Sequence, residues 1–125
     1  MSASRLLVVS ADSIVRRSLV FLLEAEGFEV AESAVMPSRA GRPAARFDCT
    51  ILDQRLLQGP PHESLTYCIT SHPVVLLAST PEAWLVDWVS RVVEMPVIED
   101  ALLDAVQFAL QAGDGSSGWG QARTN

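Results

Sequence analysis

The sequence predicts an α/β domain built on a parallel sheet. Short strand-like runs recur along the 125 residues and are separated by stretches long enough for a helix. Two of the runs, RLLVV and VVLLA, are apolar throughout, as strands covered on both faces are. Half the chain is apolar (49%) and only 19% is charged, so one domain of this length can bury a core.

The elements follow in order. Arg5–Val9 reads as the first strand. Asp12 or Ser13 can cap the next helix by accepting its free N–H groups. Leu19, Leu22 and Leu23 give that helix an apolar stripe, and it runs to about Glu26, with Gly27 suited to a left-handed C′ position. Phe28–Ala31 is the second strand. Residues 33–46 hold two prolines and a glycine, so a short or distorted helix is expected there. Cys49–Leu52 forms the third, central strand and delivers Asp53 at its end. Gln58–Pro61 makes a turn into a helix that ends near Ile69. Val74–Ala78 is the fourth strand. Thr80-Pro81-Glu82 reads as a helix start, with a capping hydroxyl, a proline in the first turn and an acid near the dipole; the helix spans about 82–89. Arg91–Glu94 is the fifth strand, and Ile98–Ala112 the last helix, stopped by Gly113.

Strands alternating with helices imply helices on both faces of the sheet. The flavodoxin-like order 2-1-3-4-5 follows, with a site at the carboxyl ends of strands 1 and 3. Ser10 and Asp53 stand at those ends. Residues 1–112 form the expected domain, and the Gly/Ser-rich residues 113–125 a mobile tail.

Composition excludes several functions. The net charge of −6 opposes nucleic-acid binding, which needs concentrated positive charge. No apolar run approaches the length of a membrane span, and no signal peptide is evident, so a cytoplasmic protein is expected. Cys49 and Cys68 show no metal or redox spacing and read as small core residues. His62 and His72 read as surface or loop residues, and Asp48 as a structural carboxylate.

The runs LLVVSADSIVRRSLVFLLEAEGFEV, FDCTILDQRL, HPVVLLAS and VVEMPVIEDALLDAV resemble, in order and spacing, the receiver domain of bacterial two-component response regulators. The resemblance spans about residues 4–112 and implies that Asp53 is the candidate phosphoacceptor for a histidine kinase. It also implies an acidic pair, a hydroxyl and a lysine around that aspartate. Here those positions hold Ser10 and Ala11, Ala78, and Met95, and the chain contains no lysine at all. Phosphoryl transfer needs Mg²⁺ and a cation to neutralise charge on the equatorial oxygens, and Mg²⁺ needs several hard oxygen ligands. Only Asp53, the displaced Asp12 and the backbone carbonyl of Arg55 remain as weak metal contacts. Ser79 has a hydroxyl but belongs to the opposite strand face. The aromatic residue of the family's fifth strand is replaced by Val92.

The expected molecule is therefore an atypical receiver, a pseudo-receiver, that signals by protein contact, with no enzyme activity and no cofactor. A working phosphoacceptor at Asp53, using Mg²⁺, is the alternative. A flavodoxin-like ligand binder lacks a glycine-rich phosphate loop, and a purely structural homodimer is a further rival. For the contact surface, Trp84 and Trp88 share a helical face, Val92 lies on the fifth strand, and Ala101, Ala105 and Phe108 form a second apolar stripe on the last helix. The family dimerises there, so a homodimer or a kinase contact is expected. Val20 and Phe21 offer a second apolar surface on the first helix.

Overall fold

The computed structural model describes residues 4–35, 47–59, 61–71 and 73–114. Five parallel strands form one sheet in the order β2-β1-β3-β4-β5. They are β1 (Arg5–Val9), β2 (Glu29–Ser33), β3 (Cys49–Asp53), β4 (Val74–Ala78) and β5 (Arg91–Glu94). The helices are α1 (Ser13–Ala25), α2 (Pro61–Thr70), α3 (Ala83–Val86) and α4 (Glu99–Asp114), with a 3₁₀ turn at Gln54–Leu56. The order is the one the alternating sequence predicts.

Period-two alternation splits the core into two layers. Leu6, Val8, Cys49, Ile51, Val75, Leu77 and Val93 point to one face, where Leu19 and Leu23 of α1 and Leu102, Val106 and Ala109 of α4 cover them. Leu7, Val9, Leu52, Val74 and Leu76 point to the other, under Tyr67 and Cys68 of α2 and Leu85 of α3. Strands β3 and β4 are buried along their whole length, which explains the unbroken apolar sequence of β4, while β3 buries Thr50 and Asp53 with its apolar residues.

The helix ends follow local chemistry. Asp12 Oδ1 accepts the N–H groups of Ile14 and Val15 at the start of α1. At its other end Gly27 takes φ 98°, and the N–H groups of Gly27 and Phe28 donate to the carbonyls of Glu24 and Leu23, closing a Schellman motif. Asp48 is structural, as expected: its carboxylate and N–H group both bond the backbone of Arg5, joining β3 to β1.

Several boundaries differ from expectation. β2 starts one residue later and runs to Ser33, because its ladder with β1 continues as far as Val9. Asp53 is the last residue of β3, since it still pairs with Leu77 of β4. The helix expected over 82–89 shortens to α3, Ala83–Val86, so Trp88 lies beyond it. Thr80 does not cap it; Glu82 takes the cap position and makes no side-chain cap bond. The Thr80 carbonyl and the Glu82 N–H are instead held by Gln54, which sets where the helix can begin. α4 passes through Gly113 to Asp114; a glycine in a last turn costs only about 1 kcal/mol. The helix expected within residues 33–46, His72 and most of the tail lie outside the described residues. No helix of the described residues is long and apolar enough to cross a membrane.

Candidate functional site

The register of the sheet places the site. Leu6 to Val9 of β1 pair with Cys49 to Leu52 of β3, so the next residues along, Ser10 and Asp53, meet at the carboxyl edge. The Ser10 hydroxyl donates to Asp53 Oδ2 at 2.9 Å. Both side chains are buried, Ser10 fully and Asp53 to within 2%. They share the strand face of Val8 and Ile51, beneath the layer that α1 and α4 cover.

A carboxylate this buried requires compensation. Arg55 provides it. Asp53 Oδ1 accepts the Arg55 backbone N–H at 3.0 Å, which opens the 3₁₀ turn as an Asx-type cap. The same turn brings the Arg55 side chain back over the carboxylate. Its Nε lies 3.0 Å from Oδ1 and 3.1 Å from Oδ2, and its terminal nitrogen 2.5 Å from Oδ2. With Ser10, these donors occupy both oxygens. Burial on its own would push the Asp53 carboxyl up. The Arg55 side-chain and backbone bonds, the Ser10 hydroxyl and the Arg55 charge outweigh it and hold the group below the usual carboxylate range.

Asp12 stands at the rim. Its Oδ2 is 4.0 Å from the Arg55 terminal nitrogen while its Oδ1 caps α1. Its N–H donates to the Ser10 hydroxyl oxygen at 3.2 Å. The structure thus brings together Ser10, Asp12, Asp53 and Arg55. The other sequence candidates give the carboxylate no polar partner. Ala11 is exposed. Ala78 is buried as the last residue of β4. Met95 packs against the α1/α4 layer, with a cis peptide bond to Pro96. Ser79 is exposed. Among the described residues, no cluster of three or more His, Cys, Asp or Glu side chains could hold a metal ion. Asp53 meets donors on both oxygens, so the residues present do not fit Mg²⁺, and no step through it follows.

Two contacts were not foreseen from sequence. Arg55 was expected to matter only through its carbonyl, whereas its guanidinium governs the site. An Arg two residues after a strand-end Asp, in a chain without lysine, is the signal that could have revealed it. Arg16 also reinforces the edge, donating to the Ser10 carbonyl at 2.9 Å and to Glu32 at 2.8 Å.

The contact surface is revised in part. Trp84 and Trp88 are about 40% exposed, Phe108 is 43% exposed, and Ala101 is exposed. Ala105 does not share that exposure: it is 4% exposed, because its position on α4 turns it into the core beside Leu102 and Val106. Val92 is half-buried and packs against the α2/α3 layer. The Arg91 guanidinium sits 4.1 Å from the centroid of the Phe108 ring, a close cation–π contact. A groove of about 590 Å³ runs between β5 and α4, lined by residues including Arg91, Met95, Ile98, Ala101 and Asp104. On α1, Phe21 and Ile14 are nearly four-fifths exposed, while Val20 packs against the core.

No protein-family model matches the chain, and no curated protein matches it in sequence. Solved structures do match in shape. A CheY-like response regulator receiver domain protein from Methanospirillum hungatei superposes with a TM-score of 0.74 at 20% identity, covering 92% of this chain and 99% of that one. The chemotaxis protein CheY4 of Vibrio cholerae gives 0.70 at 19% identity, over 87% of this chain and all of that one. The signal receiver domain of an HD domain-containing protein from Pseudomonas fluorescens gives 0.73 at 18% identity, over 94% and 93%. Strand order, parallel register and these likenesses agree: the chain has the fold of the CheY-like response regulator receiver domains.

Proposed function

We propose that this chain is a receiver-type signalling module that acts by protein–protein contact in a two-component or phosphorelay pathway, without Mg²⁺-dependent phosphorylation. The observation that supports this best is the state of Asp53. Its two oxygens accept bonds from Ser10 and Arg55, and the acidic, hydroxyl and cationic groups that would assist phosphoryl transfer are replaced by Ser10 and Ala11, Ala78, and Met95. The partner is a histidine kinase or another signalling protein, and a second copy of the chain fits the surface around Trp84, Trp88 and Phe108.

One observation favours a second reading, a phosphoacceptor served by a histidine kinase. Asp53 closes the central strand at the carboxyl edge of the sheet, beside the reversal of strand order where α/β folds bind ligands. Intact-mass measurement after incubation with acetyl phosphate and Mg²⁺ separates the two. The protein should remain unmodified. A stoichiometric phosphoryl adduct that disappears in Asp53→Asn would install the second reading instead.

A further inference from the structure

The disagreement between this site and a Mg²⁺ site has a definite cause in one side chain. We infer that the Arg55 guanidinium is the resident cation of the site: it neutralises Asp53 from within the chain and excludes a divalent metal from Asp53 and Asp12. The inference deepens the reading of a receiver that works without Mg²⁺ and rests on it.

Asp53 is 2% exposed, and a carboxylate so buried requires a positive partner whether or not a metal is available. The chain has no lysine, and Arg16 is committed to Glu32 and the Ser10 carbonyl. Among the described residues Arg55 is the charge that reaches Asp53, and it does so with a flat, two-nitrogen fork matched to a carboxylate. Its reach follows from the local fold. The Asx-type cap fixes the Arg55 backbone against Asp53 Oδ1, so the side chain has only to fold back over its own turn.

A metal would compete for the same lone pairs. A divalent ion would have to sit about 2 Å from a carboxylate oxygen. Both oxygens already receive Arg55 nitrogens, and Oδ2 also receives the Ser10 hydroxyl. The ion would therefore displace Arg55 or lie against it, cation to cation. Asp12 does not relieve this. It is the second carboxylate at the rim, but its Oδ2 faces the same guanidinium at 4.0 Å. The side chain of Arg55 is 59% exposed, so its outer edge meets solvent and can be replaced without disturbing the core layers.

Metal uptake by variants tests this directly. Mn²⁺ alone is used as the probe, with no phosphodonor present, and free Mn²⁺ is counted by electron paramagnetic resonance. Wild type should bind poorly. Arg55→Gln removes the charge and should bind at least about tenfold more tightly. The gain should vanish in Arg55→Gln/Asp53→Asn, and Arg55→Lys should stay near wild type. Equal affinity in wild type and a folded Arg55→Gln would overturn the inference. If that variant does not fold, the wild type decides by itself. The Arg55 Nε–H resonance should persist, protected from solvent exchange, through a titration with millimolar Mg²⁺. Its loss in step with saturable Mg²⁺ binding would overturn the proposal. Phosphorylation of the wild type would be a separate failure, of the reading and not of this result, because metal uptake is measured without a phosphodonor.

Discussion

Ser10 and Asp53 meet across β1 and β3 at the same offset as the paired residues below them, and the serine hydroxyl donates a hydrogen bond to the carboxylate at 2.9 Å. Its oxygen simultaneously accepts the N–H of Asp12 at 3.2 Å. A side chain that donates toward Asp53 thus stands where the receiver family has an acid. This exchange removes a group that would attract a cation and adds a donor to a carboxylate that Arg55 already neutralises.

Restoring an acid there should therefore hurt. Ser10→Asp removes a donor and sets a second carboxylate against a buried one. Like charges at this distance raise the proton affinity of the pair. The variant should lose about 2 kcal/mol at neutral pH. The loss should shrink on acidification, since a raised folded pKa means that protonation favours the folded state. Urea unfolding at neutral and mildly acidic pH measures both. A loss that is unchanged on acidification would show that repulsion is not its cause.

Asp53 itself should shape the acid limb of stability. Its folded pKa lies below its unfolded value, near the ordinary carboxylate value of about 3.9. The sign follows from linkage: the contribution is complete above the unfolded pKa and is lost as pH falls through the folded one. Wild-type stability should therefore drop below about pH 4, whereas Asp53→Asn should be less stable at neutral pH and flatter in that range. Parallel acid limbs in the two proteins would remove Asp53 from the account.

Much of this was legible in the sequence, and what was not has a physical reason. The sheet order, the helices on both faces and the placing of Ser10 and Asp53 at the carboxyl ends of strands 1 and 3 follow from apolar runs alternating with helical stretches, which the sequence encodes directly. The capping by Asp12 and the left-handed Gly27 are local and were equally readable. The start of α3 was not, because Thr80 and Glu82 answer to Gln54, a residue far away in sequence. Ala105 was misassigned because neighbouring helical stripes differ by one position, and only packing decides which one faces the sheet. The Arg55 fork was missed because a side chain's direction is not carried by its spacing.

The Gln54 amide joins the turn after Asp53 to the loop before α3. Its nitrogen donates to the Thr80 carbonyl and its oxygen accepts the Glu82 N–H, both at 3.0 Å. Gln54→Ala should cost about 1 kcal/mol, the usual net value of lost hydrogen bonds at a partly exposed site. Hydrogen exchange at the Glu82 amide should accelerate while that of β4 stays slow. Unchanged protection at Glu82 would mean the clamp does not hold the loop in solution.

The thiols set the opposite limb. Burial, then the Asp48 charge, push Cys49 from 9.0 up to about 12, and burial pushes Cys68 up to about 11. A raised folded pKa keeps its stability contribution below the unfolded pKa and loses it as pH rises toward the folded one. Stability should fall above about pH 9, where the unfolded chain ionises first. Cys49→Ala should flatten that fall, at the cost of a small cavity. Rapid labelling of the native thiols by a water-soluble disulfide reagent at neutral pH would contradict their burial.

Phe108, Trp84 and Trp88 remain accessible although the core is complete without them, and Arg91 covers one side of the Phe108 ring. Phe108→Glu would remove an apolar contact from any interface here and place a charge in it, costing several kcal/mol if unpaired on association. In the free chain the new carboxylate would lie beside Arg91, and the core layer of Leu102, Ala105, Val106 and Ala109 would be untouched, so the fold should survive. Sedimentation should show self-association in wild type that weakens by at least about tenfold in the variant. Two monomers at high concentration would remove the homodimer, and a kinase or other signalling protein would then have to be mapped to this face for the contact reading to stand.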